Sequence, residues 1–475
     1  MRTTRAILFL VLCGTAGLPV LAQDWPMWGG TAERNMASAM KGLPESWDAK
    51  AGTNIKWKAP VGSTSNGNPV VASGKIFLGT NNGNPRNPLI TGDKGVLMCF
   101  RESDGQFLWQ AVTDKLEAGG DADWPEEGVC SSPAVDGTRL YYVSNRGELV
   151  CLDTEGLIDG ENDGPFQDEA YKGPTDADIV WKLDMRKELG VFQLFMANSS
   201  PVVWEDLVLV GTSNGRDVND EAVSAPNAPS LLAVNKSTGK VVWQDNSPGD
   251  GILHGQWSSP ALGVVNGVHQ VVFAGGDGWL YGFAARTGEK LWRFDLNPKD
   301  AVWPKTRNYG VATPVFMGGR VFMSVGQDPD HPNGVGRTYS VNPELRGDIT
   351  ATGRVWQYDK VRRSISTVAV AEGLVYVADL HGNLHCLDAA TGSPRWTFDM
   401  LAPVWGSPLV ADGKVYLGDQ DGDVAVLRAG PDMKRIAEID MGSSVYSTPV
   451  PANGVLYIMT QSEIYAIAAS AAPKR

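Results

Sequence analysis

The sequence predicts an all-β protein, a single eight-bladed β-propeller of four-stranded antiparallel blades. Three observations carry the prediction. A phrase made of a small or polar residue, usually Pro, two apolar residues, a tight turn and an alternating apolar strand returns eight times. A second phrase, a strand followed by a Gly-containing turn and a Trp, follows most copies. The repeat length is roughly 40 residues with four short strands per copy, the signature of propeller blades.

Taken in order, the first phrase begins at Asn68, Ser132, Ser200, Ser259, Thr313, Thr367, Ser407 and Thr448. Strand A runs through it and turns at pairs such as Asp136-Gly137 or Asp412-Gly413. Strand B follows, and a second turn (Arg146-Gly147, Asp277-Gly278, His381-Gly382) leads into strand C. Residues of this kind supply positive φ at little cost, so each turn reads as a hairpin. Strand D is expected to end on Trp109, Trp181, Trp243, Trp292, Trp356 and Trp396. The last copy stops after strand C, at residues 463–468, while a Trp-bearing strand without a blade stands near the start, around Ile55, Lys56, Trp57 and Lys58. Pairing the two closes the ring and leaves no open edge. The expected division is a signal peptide at 1–22, an N-terminal extension at 23–53, the propeller at 54–470 and a tail at 471–475.

Pro-Val strands followed by hairpins such as LLAVNKSTGKVVW, ending at Trp243, and LHCLDAATGSPRW, ending at Trp396, resemble the pyrroloquinoline-quinone (PQQ) repeat superfamily. The opening Asp24-Trp25-Pro26-Met27-Trp28-Gly29-Gly30 resembles the N-terminal phrase of its secreted bacterial members. The resemblance extends from about residue 24 to 468. It implies a propeller used either as in quinoprotein dehydrogenases or as in the propeller lipoprotein of the outer-membrane assembly machine. The repeat specifies blades, and chemistry has to be argued from the site.

The first 22 residues carry Arg2 and Arg5, an apolar run and a small-residue end at Ala22, the pattern of a signal peptide cleaved there. A lipoprotein signal would use Cys13, but Leu12 stands where a small residue is required. No later stretch has the apolar length of a membrane span. The formal charge of −13 opposes nucleic acid and anionic membrane surfaces as partners. Cys99, Cys151 and Cys386 occupy one equivalent place in strand C of three blades, which marks them as packing residues. Cys130 opens an A strand and reads as a buried, inert thiol.

Insertions are one-sided. The B-to-C connections swell at 81–94, 213–229 and 327–337, and the D-to-A connections at 113–128, 185–197, 246–255 and 297–307. In a four-stranded meander these share one face, so the long loops of blades 1 to 5 decorate a single side. Residues entering the A strands from that side are expected to ring the channel mouth. They are Asn66, Glu127, Cys130, Asn198, His254, Trp257, Arg307, Tyr309, Arg363, Trp405 and Tyr446. Trp257, Asn198, Arg363, Trp405, Glu127, Cys130 and Tyr309 are the candidates for holding a flat polar ligand or cofactor by stacking and hydrogen bonds.

The resemblance to quinoprotein dehydrogenases implies a Trp stacked on PQQ, a calcium ion and an Asp base. Trp257 matches the stacking residue, and Glu127 with Asn198 the metal ligands, but no adjacent Cys pair, no matching Asp and no C-x-x-C-H haem site occurs. Elsewhere, Asp159, Glu161 and Asp163 alternate before Gly164 as at the opening of a calcium loop. Asp419, Asp421 and Asp423 share that spacing inside an ordinary hairpin turn, and His331 stands with only two acids, too few for a metal site. The sequence therefore favours a secreted or periplasmic binding or scaffold module. Its protein, glycan or small-molecule partner is expected on the loop-rich face. A PQQ-dependent dehydrogenase acting on an alcohol or sugar is the alternative.

Overall fold

In this computed structural model, residues 23–117, 122–217, 219, 221–327 and 335–469 are described. The expected signal peptide with Cys13 and Ala22, His331 and the tail at 471–475 lie outside the described residues. Eight antiparallel sheets follow one another around a central axis, as the repeats predict. Their innermost A strands are Val70–Ala72, Ala134–Asp136, Val202–Trp204 and Ala261–Val265 in blades 1 to 4. Val315–Met317, Ala369–Ala371, Leu409–Ala411 and Val450–Ala452 continue the ring through blades 5 to 8. The outer strand of blade 8 is Ile55–Pro60, paired antiparallel with Glu463–Ile467. The chain start thus closes the ring.

The Trp residues sit near the start of the D strands and not at their end, because the strand continues past the bulge at which the Trp enters. In blade 1 the D strand is Phe107–Asp114, and the register shifts where Trp109 faces Cys99. Trp181 faces Cys151, Trp396 faces Cys386, and Trp57 faces Ala466 in the same way. A small residue opposite each indole leaves room for the ring, which accounts for the three equivalent cysteines. Most of these indoles then reach the next blade, while that of Trp292 donates to Gln270 Oε1 (2.8 Å) within its own blade. Trp109 donates to Thr154 O (3.1 Å), Trp181 to Lys236 O (3.0 Å), Trp243 to Ala285 O (3.0 Å) and Trp396 to Gly430 O (3.0 Å). At Trp109, Trp181 and Trp243 a turn glycine of that next blade, Gly156, Gly239 or Gly288, has φ between +62° and +72° and lies flat on the indole. At Gly239 a Cβ would fall 2.6 Å from the Trp181 ring. The recurring Thr-Gly and Trp of the sequence are therefore two halves of one inter-blade joint.

The small polar residue that opens each A strand forms a second joint nearer the axis. The Asn68 N–H donates to Ser132 Oγ (3.1 Å), Ser132 N–H to Ser200 Oγ (3.0 Å) and Ser200 N–H to Ser259 Oγ (2.9 Å). Thr313 N–H donates to Thr367 Oγ1 (3.2 Å), Thr367 N–H to Ser407 Oγ (2.9 Å) and Ser407 N–H to Thr448 Oγ1 (2.8 Å). Thr448 N–H closes the belt on Asn68 Oδ1 (2.6 Å). At Thr313 the hydroxyl instead accepts from the Trp28 indole (3.2 Å).

Innermost strands leave one edge facing the channel, and their N–H groups need acceptors. Residues 23–43 provide them by passing across the A-to-B end of the ring. Val71 N–H donates to Trp25 O (2.9 Å), Val135 to Pro26 O (2.8 Å), Leu262 to Ala32 O (2.8 Å) and Phe316 to Glu33 O (3.0 Å). Val370 N–H donates to Asn35 Oδ1 (2.8 Å), Val410 to Met36 O (2.9 Å) and Asn453 to Gln23 O (3.1 Å). Ala37–Ser38 then runs parallel to the A strand of blade 7. Blade 3 is served by Arg34, whose Nη2 donates to Ser200 O (2.7 Å) and Pro201 O (2.8 Å). The segment touches every blade and stoppers the short-turn end of the channel.

Candidate functional site

What remains of the channel is a blind cavity of about 440 Å³. Its floor is Trp28, held by the indole bond to Thr313 and by its carbonyl, which accepts from Arg34 Nη1 (2.7 Å). Its lower wall is the hydroxyl belt. Its upper wall is formed by residues two positions earlier in each A strand, since alternate residues of an extended strand share a face. These are Asn66, Cys130, Asn198, Trp257, Val311, Ile365, Trp405 and Tyr446. The enlarged D-to-A loops add Trp124, Glu127, Phe195 and Met196 at the rim.

Of the residues expected at the mouth, Asn66, Glu127, Cys130, Asn198, Trp257, Trp405 and Tyr446 are brought together on this wall. Tyr309, Arg363, Arg307 and His254 are not on it. Tyr309 is fully buried behind the wall, in an aromatic cluster where it packs on Trp257 (6.1 Å between ring centres) and His254 (6.0 Å). Arg307 pairs with Asp295 (3.4 Å) and donates to Asp277 O (3.0 Å). Tyr309 stands two positions before Val311 and Arg363 two before Ile365, and it is Val311 and Ile365 that reach the cavity. Counting back two from Thr313 and Thr367 would have found them. Trp28 and Arg34 had no sequence signal beyond the opening phrase, because only the path of the segment brings them to the axis.

The carboxylates of the proposed calcium loop do not converge. Asp163 is paired with Arg139 (2.8 Å), and Asp159 accepts from the Glu161 N–H (3.0 Å) as a local turn. Among the described residues no three His, Cys, Asp or Glu side chains gather as a metal site.

The wall is aromatic with a few polar groups. Trp405 packs on Tyr446 at 5.2 Å, and Trp257 stacks on Phe195 at 6.3 Å with planes 22° apart. The Trp257 indole N–H is engaged by Leu194 O (3.3 Å) and that of Trp405 by Gln420 Oε1 (2.9 Å), which fixes both rings. Glu127 accepts from the Asn66 amide, and burial raises its carboxyl above the usual range. Burial also pushes the Cys130 thiol up to about 12, so it stays protonated and inert at neutral pH. Asn198 Oδ1 is buried with no hydrogen-bond partner among the described residues. Behind the floor Arg34 is fully buried, and desolvation lowers its guanidinium to about 9. Among the described residues it binds four carbonyls, those of Trp28, Ser200, Pro201 and Pro260, and no carboxylate.

A sequence family described as outer membrane protein assembly factor BamB matches residues 346–431, which cover the outer strand of blade 5, blade 6 and three strands of blade 7. The chain resembles the PQQ-repeat propellers. Among solved structures, the quinohemoprotein alcohol dehydrogenase of Comamonas testosteroni superposes with a TM-score of 0.63 at 14% identity, covering 95% of this chain and 82% of that one. BamB from Moraxella catarrhalis gives a TM-score of 0.54 at 14% identity, over 88% of this chain and 98% of that chain. At such identities the superpositions show the propeller fold alone. A curated relative, the lupanine 17-hydroxylase [cytochrome c] of a Pseudomonas species, is 22% identical over 76% of this chain. The chain spans about half the length of that relative, 52%. No described helix is long and apolar enough to cross a membrane.

Proposed function

We propose that this PQQ-repeat propeller is a binding module of a secreted or periplasmic compartment, whose small-molecule ligand enters the central cavity from the long-loop face. The carrying observation is the stopper. Residues 23–43 seal the short-turn end, so the cavity is reached from the side on which the long loops stand. A preformed apolar cavity of this size with a few fixed polar groups is the usual form of a ligand site. The indole bonds that lock Trp257 and Trp405 reduce the ordering cost of stacking a flat ligand between them. The signal-like first 22 residues support the compartment.

The residues present do not fit a metal-held PQQ. Among the described residues Glu127 is the one carboxylate on the wall, it is engaged by Asn66, and burial favours its neutral form. The free cysteines offer no adjacent pair. Quinone oxidation needs a base in reach of the substrate proton and a cation on the quinone oxygen. Dye-linked assays with PQQ, calcium and a panel of alcohols and sugars should stay at background. Turnover that disappears in Glu127→Gln would instead make the chain a dehydrogenase.

The binding reading is tested by thermal stabilisation with an aromatic probe such as 2-naphthoate. The wild type should be stabilised, and Trp257→Ala should keep its fold and lose the response. Equal stabilisation of both proteins would place the ligand elsewhere.

A further inference from the structure

We propose that the floor of the cavity is a carboxylate seat, in which the hydroxyl belt donates to the acid group of a ligand whose flat body lies between the aromatic walls above. This rests on the binding reading and names the ligand class, an aromatic monocarboxylate.

The argument begins with what the belt hydroxyls have left to give. Ser200, Ser259, Thr367 and Ser407 each accept a backbone N–H from the preceding blade, which occupies the oxygen on its outer side. Ser132 and Thr448 do the same. Among the described residues none of these O–H groups has a protein acceptor, although all are at most 5% exposed and line the cavity. A hydroxyl carries one proton and two lone pairs. With its acceptor side used in the ring, its free function is donation toward the axis. Several such donors around one centre suit a group that only accepts, and a carboxylate is the strongest of these.

Charge points the same way. The Arg34 guanidinium lies directly behind the floor, bonded to the carbonyls of Trp28 and Ser200, which themselves bound the cavity. Its four partners are neutral, so its positive field is not cancelled locally, and in a water-poor interior such a field is weakly screened. Among the described residues no acid stands in the floor, and Glu127 is at the rim, at the opposite end of the cavity. A ligand therefore enters acid first, with its apolar rings between Trp257 and Trp405.

The test compares three probes of one shape on the full chain by calorimetric titration: 2-naphthoate, 2-naphthamide and 2-naphthylmethylammonium. The seat predicts that naphthoate binds about ten-fold tighter than the amide, the gain expected of charge-assisted hydrogen bonds, with the ammonium weakest. Thr367→Val, which keeps the shape of the side chain, should bring naphthoate down to the affinity of the amide and leave the amide unchanged. Ser131→Ala is the control, since Ser131 Oγ also donates between blades, to Ser199 O (3.0 Å), but does not line the cavity. A structural role alone would make the two variants behave alike, and that result overturns the seat. If the amide or the ammonium binds as tightly as naphthoate, the seat is wrong while the cavity reading stands. If none of the three binds, the cavity reading fails and the seat with it.

Discussion

Trp57, from the strand that closes the ring, lies flat against Gly105 of blade 1 and donates its indole N–H to Glu102 O at 3.0 Å. The joint between the last blade and the first is thus the same joint that links Trp181 to Gly239 and Trp109 to Gly156. It is made with a residue encoded some four hundred positions away from the rest of its blade. The chain start therefore does two jobs. It completes blade 8, and its earlier residues stopper the channel.

That joint predicts a contrast between two glycines. At Gly105, φ is +72° and a Cβ would sit 2.4 Å from the Trp57 ring, whereas at Gly137, φ is +62° with nothing within 4 Å. Gly105→Ala should lose about 2–4 kcal/mol of stability and Gly137→Ala about 1 kcal/mol, the second being backbone strain alone. Urea unfolding of the two variants checks this, and equal losses would mean that the indole does not rest on Gly105.

Arg34 gives a second contrast. Removing the charge in Arg34→Met leaves the carbonyls of Trp28, Ser200, Pro201 and Pro260 without donors in the interior. The expected cost is about 3–5 kcal/mol, read from the denaturation midpoint. Arg34→Lys should not restore it, because a single ammonium cannot reach four carbonyls spread over blades 3 and 4 and the segment itself. Full recovery with Lys would contradict the geometry of the fork.

Much of this architecture was legible in the sequence, and the reason is repetition. Ser-Pro, Thr-Gly and Trp recur because each makes the same contact in one blade after another, so blade count, closure by Trp57 and the loop-bearing face could all be read. The cavity was read less well. Asn66, Cys130, Asn198, Trp257, Trp405 and Tyr446 follow from strand entry, but Tyr309 and Arg363 were placed on the wall by proximity in sequence rather than by the two-residue alternation that selects Val311 and Ile365. Trp28 and Arg34 belong to no repeat. Their place depends on a non-periodic segment threading all eight blades, a long-range packing outcome that local pattern does not encode.

Stability should also carry a pH signature from Asp277. Burial raises its carboxyl to about 6, against hydrogen bonds from Tyr281 and the Trp279 N–H that favour the charged form. A carboxyl raised on folding contributes stability below its unfolded pKa and loses it as pH rises through the folded value. Between about pH 4 and pH 7 this group should cost the fold about 2–3 kcal/mol. Asp277→Asn should therefore gain on the wild type as pH rises across that window. Melting curves at both ends measure it, and a difference between the two proteins that does not change with pH would contradict the burial argument.

The central claim is that the channel is a blind cavity entered from the long-loop face, and a crystal structure of the full chain with 2-naphthoate tests it most directly. The account predicts the ring system between Trp257 and Trp405, with Trp28 beneath it and residues 23–43 still in place across the short-turn end. Density for the probe on the short-turn face, or inside a channel from which that segment has withdrawn, would contradict it.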